Sequence, residues 1–408
     1  MKCGLLGRTL GHSYSPQIHS HLADYSYTLF EKEPEGLRDF LKNGDFAGIN
    51  VTIPYKKDVI PYLDELSPAA QKMGAVNTIV RRADGTLFGH NTDYFGFASM
   101  VQQSGLSVSG KKVLVLGSGG ASNTAVEVLK ELGARVIVIS RSGENNYNNL
   151  HCHADAAVIV NATPVGMYPN TGVSPVDLSS FPHLEGVLDL IYNPARTQIL
   201  LDAEKRGIPG FNGLWMLVAQ AKEAAECFTG QRIPDDRIAD IHQKLAAGMQ
   251  NLILVGMPGC GKSTIGQLLA VNTEKTFVDA DAEIIRLAGK SIPEIFAEDG
   301  EEVFRQWETK ALEALGKQSA LVIATGGGCI TRERNYPLLH QNGTIIWLQR
   351  NLDVLPTDGR PLSQANKLQG MYRIRKPLYE AFSDLSVDNN STSQETIDTI
   401  LHELEDLQ

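Results

Sequence analysis

Two glycine-rich segments of the chain each follow a short apolar strand and open a helical stretch. The first covers residues 117–121 after a strand at 113–116, and the second covers residues 256–264 after a strand at 252–255. This order places backbone N–H groups and the positive end of a helix dipole at one point, which suits phosphate groups. Strands that alternate with helices form parallel sheets. The chain is therefore predicted to be an α/β protein with two phosphate-binding sheets.

Length and charge restrict the classes of protein that fit. A chain of 408 residues is too long for one hydrophobic core. Its 47 acidic and 37 basic residues leave no general positive field for nucleic acid or an anionic membrane. It has no run of about 18 apolar residues, and its five scattered cysteines form no CxxC pair. We expect a cytoplasmic protein that acts on small molecules, without a nucleic-acid or membrane partner; the sequence does not indicate its oligomeric state.

The pattern of strands and helices indicates three domains. A helical stretch ends at Gly248, and a new apolar strand begins after residues 249–251. The expected domains are a substrate lobe of residues 1–100 rejoined by residues 214–248, a dinucleotide sheet of residues 101–213, and a phosphate-loop domain of residues 251–408. The five strands predicted for the last domain cover residues 252–255, 276–279, 321–324, 344–348 and 385–388.

Residues 256–264 read Gly-Met-Pro-Gly-Cys-Gly-Lys-Ser-Thr and fit the pattern GxxxxGK[ST]. In such a loop Lys262 reaches the β- and γ-phosphates, and the hydroxyl of Ser263 is offered to Mg²⁺. A chance glycine-rich turn is the alternative, and the preceding strand and following helix argue against it. ATP and Mg²⁺ are the expected ligands. The residues predicted to hold the nucleotide are Gly259, Cys260, Gly261, Lys262, Ser263 and Thr264.

Polar residues that follow the loop suggest a phosphate acceptor with hydroxyl and carboxylate groups. Asp279 and Asp281 end the second strand, where one can serve Mg²⁺ and the other can hold or deprotonate a hydroxyl. Arg305 can bind a carboxylate with two parallel hydrogen bonds, and glycines 326–328 allow close approach of a ligand. Each has a simpler alternative: an aspartate can cap a helix, Arg305 can form a solvated ion pair with Glu308, and the glycines can be a plain loop.

Together with Arg360-Pro361 and Arg375, these motifs resemble the shikimate kinase family over residues 251–408 in order and spacing. The resemblance implies that Asp281, Arg305 and Gly327 hold shikimate, with Asp281 as base on the 3-hydroxyl. It implies that Arg375 pairs with the shikimate carboxylate and that Arg360, from a closing lid, neutralises the transferring phosphoryl group. Asp279 is then assigned, with Ser263, to Mg²⁺.

In the first half, the glycine turn 117–121 precedes a predicted helix at 125–132 and suits a dinucleotide. The next strand ends in Ser140-Arg141-Ser142 rather than in an acidic residue. An acid would bind the ribose 2′-hydroxyl of NAD, whereas Arg141 suits the 2′-phosphate of NADP, unless it is a plain exposed cation. The residues predicted to bind NADP(H) are Gly117, Ser118, Gly119, Gly120, Ala121, Ser140 and Arg141, with Leu190 and Gly213 at the sheet edge.

Polar residues upstream of the glycine turn suit a polyhydroxylated ligand. Ser13 and Ser15 place two hydroxyls on one short turn, a predicted strand ends in Lys56, and residues 91–93 supply an amide and the carboxylate of Asp93. The alternative for Lys56 is that it and Lys57 are merely two adjacent surface lysines.

This constellation resembles the shikimate dehydrogenase family over residues 1–245. The resemblance implies NADPH-dependent reduction of 3-dehydroshikimate to shikimate, with Lys56 and Asp93 as the catalytic pair. Hydride delivery to a ketone builds negative charge on oxygen, and an ammonium group both stabilises and protonates that oxygen. The resemblance also implies which residues line the substrate: Ser13, Ser15, Thr52, Asn77, Asp93, Tyr192 and Gln220. The expected fold is a two-lobed dehydrogenase with a Rossmann-like NADP domain, followed by a P-loop kinase domain.

Two departures from the kinase family and three alternatives accompany the prediction. Residues 349–359, before Arg360, are shorter than the usual kinase lid, and residues 388–392 lack the basic residue often found beside the adenine. The first half could instead prefer quinate with NAD. The second half could be a nucleotide-binding regulatory module, or a kinase for nucleoside monophosphates.

Overall fold

The computed structural model describes residues 1–11, 13–355 and 365–407, with residues 365–367 as backbone only. The chain separates into two compact units. The first unit comprises Met1–Val165, Ser174–Tyr192 and Asp202–Lys244, and the second comprises Gly166–Val173, Asn193–Leu201 and Leu245–Gln408. The boundaries of the three predicted domains stay a prediction.

The chain up to residue 249 contributes two sheets and eight helices to the described structure. Its strands are β1 (Lys2–Gly7), β2 (Ser26–Glu31), β3 (Gly48–Val51), β4 (Glu65–Leu66), β5 (Thr78–Arg81), β6 (Leu87–His90), β7 (Lys112–Leu116), β8 (Arg135–Ile139), β9 (Val158–Asn161), β10 (Gly186–Asp189) and β11 (Gly210–Phe211). Its helices are α1 (Ser15–Ser20), α2 (Leu37–Asn43), α3 (Pro68–Met73), α4 (Asp93–Ser104), α5 (Gly120–Glu131), α6 (Gln198–Lys205), α7 (Leu214–Thr229) and α8 (Asp236–Met249).

The rest of the chain contributes a third sheet and seven further helices. Its strands are β12 (Asn251–Val255), β13 (Thr276–Asp279), β14 (Leu321–Ala324), β15 (Gly343–Gln349) and β16 (Leu385–Asp388). Its helices are α9 (Lys262–Thr273), α10 (Ala280–Ala288), α11 (Ile292–Glu298), α12 (Gly300–Gly316), α13 (Asn335–His340), α14 (Ala365–Phe382) and α15 (Ser393–Asp406). Short 3-10 turns cover Pro34–Gly36, Ile60–Tyr62, Leu150–His153, Leu178–Ser180, Cys329–Thr331 and Leu352–Val354.

The first sheet has six strands in the order β2-β1-β3-β5-β6-β4 and mixes parallel and antiparallel pairs. β1 and β3 are its central parallel pair, with Leu6 opposite Val51. Both strands are apolar and almost wholly buried, as expected of strands covered on two faces. Their shared register brings the residues that follow Val51 to the same edge as the end of β1.

The second sheet is parallel throughout, in the order β11-β10-β9-β7-β8. Leu116 lies opposite Ile139 on one side and Asn161 on the other. The segments after β7, β8 and β9 therefore leave the sheet at one edge, where ligands of such sheets bind. The expected Rossmann-like sheet is confirmed.

The third sheet is the predicted five-stranded parallel sheet, in the order β13-β14-β12-β15-β16. Val255 lies opposite Trp347, and Asp279 lies opposite Ala324. The phosphate loop after β12, the end of β13 and the glycines after β14 consequently share one edge. The strands β12, β14 and β15 form the centre of a core that the helices cover on both faces.

A segment from the middle of the chain belongs to the second unit. Within it, the backbone N–H of Ala195 donates to Asn342 Oδ1 at 2.9 Å. The backbone N–H of Arg196 donates to the carbonyl of Gln341 at 2.8 Å, and its Nη1 donates to the carbonyl of His340 at 2.9 Å. These bonds stabilise the turn between α13 and β15. The second unit therefore includes a segment, Asn193–Leu201, that lies far from the rest of the unit in sequence.

Two global properties of the described residues bear on the sequence predictions. No described helix is long and apolar enough to cross a lipid bilayer. The five cysteines are unpaired, and Cys3, Cys260 and Cys329 are buried.

Helices α4 and α7 cross at Gly96, and this crossing helps to form the first site. A Cβ atom at Gly96 would lie 2.8 Å from the carbonyl oxygen of Met216 and 3.0 Å from Cβ of Gln220. Glycine therefore permits a helix contact that a larger residue would open. The contact brings the first turn of α4, which begins with Asp93, towards Gln220 on α7.

We predict that Gly96→Ala lowers the free energy of unfolding. Alanine gains about 1 kcal/mol of helix propensity, but the clash is with a backbone oxygen that cannot rotate away, so it costs about 2–3 kcal/mol. The expected net loss is about 1–2 kcal/mol, measured by urea unfolding. Gly36→Ala is the control, because a Cβ there meets no atom within 4 Å. A Gly96→Ala variant as stable as the parent chain would contradict the tight crossing.

Candidate active sites

The first site is a cavity of about 260 Å³ in the first unit. It lies where the ends of β1 and β3 meet helices α4 and α7 and the end of β10. The structure brings together all eight residues predicted for the substrate and for proton transfer. They are Ser13, Ser15, Thr52, Lys56, Asn77, Asp93, Tyr192 and Gln220.

Lys56 and Asp93 form an ion pair inside this cavity. Lys56 Nζ lies 2.6 Å from Asp93 Oδ2, and the two side chains are 31% and 17% exposed. Asp93 is held because it is the first residue of α4, and Lys56 lies in the turn that follows β3. The neighbouring Lys57 is exposed. The structure therefore separates the two lysines: one is paired within a cavity and the other lies at the surface.

Buried amides fix the floor of the cavity. Asn77 Oδ1 accepts from the backbone N–H of Thr92 at 2.8 Å and from the Thr92 hydroxyl at 3.2 Å. These two bonds tie the residue that precedes β5 to the residue that precedes Asp93. Asn50 donates to the Thr78 hydroxyl at 3.3 Å and accepts from the hydroxyl of Tyr27 at 2.7 Å. Such a satisfied network holds side chains in one arrangement.

His19 contacts this network through Tyr27, and the sequence did not predict this role. Its ring stacks on Tyr27 with centroids 4.1 Å apart, and its Nδ1 lies 2.6 Å from the hydroxyl of Tyr25. Burial lowers the pKa of His19 to about 3, so the ring is neutral at pH 7. Sequence gives little signal for such a role, because a histidine on a short helix is also compatible with a plain core position.

The dinucleotide turn lies between β7 and α5 as predicted. Gly117 has a φ of 107°, which favours glycine. A Cβ on Gly117 would also approach the carbonyl of Ala162 to 3.1 Å. The positions of Gly119 and Gly120 face open space. Ser118 lies in the same turn, and Ser140 and the exposed Arg141 follow β8 at the same edge of the sheet.

Three residues predicted for NADP(H) reach the first cavity. Ala121, Leu190 and Gly213 line it together with the predicted substrate residues. Gly213 is required by close packing, since a Cβ there would lie 2.2 Å from the carbonyl oxygen of Leu190. The predicted cofactor and substrate residues thus meet in a single cavity, as a transfer between two bound molecules demands.

The second site is a cavity of about 510 Å³ at the edge of the third sheet. Ten predicted residues line it, and Arg360 lies outside the described residues. The ten are Gly259, Gly261, Lys262, Ser263, Thr264, Asp279, Asp281, Arg305, Gly327 and Arg375. Cys260 is fully buried beneath the loop, so its backbone rather than its side chain belongs to the site.

The phosphate loop has the expected geometry between β12 and α9. Gly256 and Gly261 have φ values of 148° and 98°. Lys262 begins α9, and its Nζ donates to the carbonyls of Gly256 at 2.9 Å and Met257 at 3.1 Å. The lysine is thus held across the loop, beside the backbone N–H groups that bind phosphate in this motif.

Ser263 and Asp279 form the candidate magnesium site. The Ser263 hydroxyl donates to Asp279 Oδ2 at 3.0 Å, while Asp279 Oδ1 accepts from the backbone N–H of Asp281 and caps α10. The capping alternative therefore holds together with the contact to the loop. One hydroxyl and one carboxylate beside a phosphate loop fit Mg²⁺, which takes its other ligands from water and phosphate. The described residues contain no group of three or more His, Cys, Asp or Glu that could hold a metal.

Arg305 and Glu308 form the ion pair that sequence suggested as the simpler alternative, but it is buried. Arg305 Nη1 lies 2.9 Å from Glu308 Oε2, with side chains 11% and 1% exposed. Burial raises the pKa of Glu308, while Arg305 acts to lower it. Glu308 Oε1 has no hydrogen-bond partner among the described residues. Both residues line the cavity, so the pair belongs to the site and is not a solvated surface contact.

Arg375 and Tyr379 share one acceptor at the glycine loop. Arg375 Nη1 donates to the carbonyl of Gly327 at 3.1 Å, and the Tyr379 hydroxyl donates to the same oxygen at 2.6 Å. Tyr379 is buried and stacks on Trp347, with centroids 5.6 Å apart. Sequence reasoning did not assign Tyr379; its spacing of four residues from Arg375 on α14 was the available signal.

Two family models match the chain, one in each half. The model described as shikimate dehydrogenase substrate binding domain matches residues 5–79, and the model described as shikimate kinase matches residues 258–405. Shikimate dehydrogenase (NADP(+)) from Clostridium perfringens is 34% identical over 264 residues, which cover 59% of this chain and 97% of that protein.

Two solved structures add to these matches. The chain is similar to a chorismate mutase/shikimate 5-dehydrogenase fusion protein from Clostridium acetobutylicum, with 37% identity, a TM-score of 0.57, and coverage of 60% of this chain and 96% of that chain. Quinate dehydrogenase from Corynebacterium glutamicum in complex with NAD has 28% identity, a TM-score of 0.55, and coverage of 60% and 98%. The chain belongs to the shikimate dehydrogenase family and carries a shikimate kinase domain over residues 258–405.

Proposed function

We propose that the chain performs two consecutive reactions, reduction of 3-dehydroshikimate with NADPH and phosphorylation of shikimate on its 3-hydroxyl with MgATP. One observation supports this most strongly. Each of two separate cavities is lined by the residues that one of these reactions needs, with Lys56 paired to Asp93 in the first and Lys262, Asp281 and Arg305 together in the second. The product of the first reaction is the substrate of the second.

In the first cavity, Lys56 is the proton donor to the ketone oxygen. NADPH supplies the hydride. As charge develops on that oxygen, Lys56 Nζ stabilises it and transfers a proton to it. Asp93 holds the ammonium group in position at 2.6 Å. The hydroxyl and amide groups of Ser13, Ser15 and Asn77 orient the ring hydroxyls and carboxylate of the substrate.

In the second cavity, Asp281 is the base for the attacking hydroxyl of shikimate. Arg305, kept in place by Glu308, and Arg375, on the carbonyl of Gly327, bind the substrate carboxylate. Lys262 and the backbone N–H groups of the loop bind the phosphates of ATP. Ser263 and Asp279 would hold Mg²⁺, which would neutralise negative charge on the phosphates. Arg360 is proposed to complete the site during transfer.

The remaining parts of the proposal concern organisation. We propose three domains, with residues 1–100 and 214–248 as the substrate lobe, 101–213 as the NADP domain and 251–408 as the kinase. Free cysteines, three of them buried, fit a reducing compartment such as the cytoplasm. The partners are small molecules.

Oxidation of quinate with NAD is the second candidate for the first cavity. The likeness to a quinate dehydrogenase bound to NAD supports it. Against it, β8 is followed by Ser140 and Arg141 and not by the acid that binds the ribose hydroxyls of NAD. Steady-state rates with both substrates and both cofactors decide between them, and a large preference for quinate and NAD would contradict our assignment.

A coupled assay tests the proposed function directly. The purified chain receives 3-dehydroshikimate, NADPH and MgATP, and the expected products are NADP⁺ and shikimate 3-phosphate. Nucleotide binding without a phosphorylated product would favour a regulatory module instead. Phosphorylation of a nucleoside monophosphate in preference to shikimate would indicate the third alternative.

We predict that Lys56→Ala lowers kcat for NADPH oxidation by about 10²–10⁴-fold, because the proton donor is lost. Phosphorylation of added shikimate should persist. Lys57→Ala is the matched control and should leave both activities unchanged, since that lysine is exposed. Equal losses in the two variants would show that Lys56 acts only as a surface charge.

We predict that Asp279→Asn raises the Mg²⁺ concentration needed for half-maximal phosphorylation by about 10–100-fold. Asparagine also caps helices well, so α10 should be retained. The measurement is a Mg²⁺ titration at saturating ATP and shikimate. Asp398→Asn, an exposed aspartate on α15, serves as control. An unchanged Mg²⁺ requirement in Asp279→Asn would remove this residue from the metal site.

We predict that Tyr379→Phe raises KM for shikimate about 3–10-fold, because a hydrogen bond worth about 1 kcal/mol no longer fixes the carbonyl of Gly327. KM for ATP and the rate of NADPH oxidation should not change. Tyr372→Phe is the control on the same helix, with a half-buried ring. If Tyr379→Phe lowers only the melting temperature, the tyrosine supports packing and not the position of the substrate.

A further inference from the structure

Arg350 lies beside the phosphate loop, immediately after β15. This strand pairs with β12, and Val255, which precedes the loop, lies opposite Trp347. Arg350, three positions beyond Trp347, therefore leaves the sheet at the edge from which the loop rises. Its Nη1 is 3.5 Å from the point that a Cβ on Gly261 would occupy. A guanidinium group thus adjoins the residue that precedes Lys262.

The loops after β15 and β16 are joined to each other and to the phosphate loop. Asn389 Nδ2 donates to the carbonyl of Cys260 at 2.6 Å, and the backbone N–H of Asn389 donates to the carbonyl of Gln349 at 2.8 Å. The backbone N–H of Asn351 donates to Asn390 Oδ1 at 2.9 Å. Residues on both sides of Arg350 are therefore fixed, and the position of the arginine relative to the loop is restricted.

Asn389 is itself held, which makes this wall of the site rigid. It is buried, and its Oδ1 accepts from the Thr396 hydroxyl at 2.9 Å. Thr396 lies on α15, and Thr392, the N-cap of that helix, forms a capping box with Glu395. The loop after β16 thus takes its shape from α15, and it places Asn389, like Arg350, beside Gly261 of the phosphate loop.

The charge of Arg350 is not used within the described part of the chain. The residue is exposed, and no hydrogen bond or ion pair joins its side chain to any residue in the described ranges. An exposed cation beside a phosphate loop attracts a polyanion. A planar guanidinium group can in addition stack on an aromatic base.

Arg350 lies on the opposite flank of the loop from the acceptor residues. Asp281, Arg305 and Arg375 line the acceptor cavity, and Arg350 does not. A nucleotide that directs its terminal phosphate towards the acceptor must direct its ribose and base away from it. The flank that carries Arg350 and Asn389 is the one left for these groups.

We propose that Arg350 binds the nucleotide on its ribose and base side. The inference rests on the proposed kinase function. Because Arg350 directly follows β15 and the residues on both sides of it are hydrogen-bonded, the edge of the sheet sets its position.

The test measures the dissociation constant of ADP for the full chain by calorimetry, and KM for ATP. Arg350→Gln should weaken ADP binding and raise KM for ATP by about 10-fold, since bonds to a charged group contribute at least about 1.5 kcal/mol. KM for shikimate and NADPH oxidation should stay unchanged. Arg350→Lys separates two modes: recovery of affinity indicates charge, and a loss equal to that of Arg350→Gln indicates stacking.

Arg334→Gln is the matched control, because Arg334 is also an exposed arginine of the second unit. It should leave ADP binding unchanged. An unchanged dissociation constant in Arg350→Gln, or an equal loss in Arg334→Gln, would overturn the inference. A parent chain that binds ADP but forms no shikimate 3-phosphate would instead refute the proposed kinase function and leave the result for Arg350 interpretable.

Discussion

Parallel pairing of strands in register is the constraint on which both sites depend. Because neighbouring strands end at the same level, the segments after them leave the sheet at one edge. In the second sheet this edge carries Gly117 and Arg141, and in the third it carries the phosphate loop, Asp279 and Arg350. A shift of one residue in the register of β12 would move the phosphate loop by about 3.3 Å relative to Asp279 and Arg350. The chemistry thus follows from backbone hydrogen bonds far from any substrate.

The two cavities solve one electrostatic problem in different ways. The proposed substrates and nucleotides are all anions, whereas the chain has a net charge of −10. The first cavity offers a single lysine whose charge is shared with one carboxylate. The second offers several cations, of which Arg305 is paired with a buried Glu308 and Arg375 with a backbone carbonyl. Pairing reduces the net attraction for an anion but fixes the direction in which each cation can donate.

Sequence predicted most of the strands and the residues around both cavities, because glycine turns and strand ends carry strong local signals. It placed the start of the helix after Gly117 at residue 125, whereas α5 begins at Gly120. The first turn of α5 consists of small and polar residues without apolar periodicity, so no pattern marked it. The sequence did not predict the contacts of Tyr379 and His19 or the proposed role of Arg350. Each of these depends on elements that are distant from one another in sequence.

The hydrogen bonds of Ala195 and Arg196 with the turn at residues 340–342 bear on how such a fusion can be divided. By sequence, residues 249–251 look like a seam between two interchangeable modules. The second unit nevertheless includes Asn193–Leu201, which directly follow Tyr192 of the first cavity. Dividing the chain at residues 249–251 would remove Asn193–Leu201 from the second unit, and with it the hydrogen bonds to the turn that precedes β15. The two halves are thus interleaved along the gene, and replacing either as a cassette would require exchanging that strip as well.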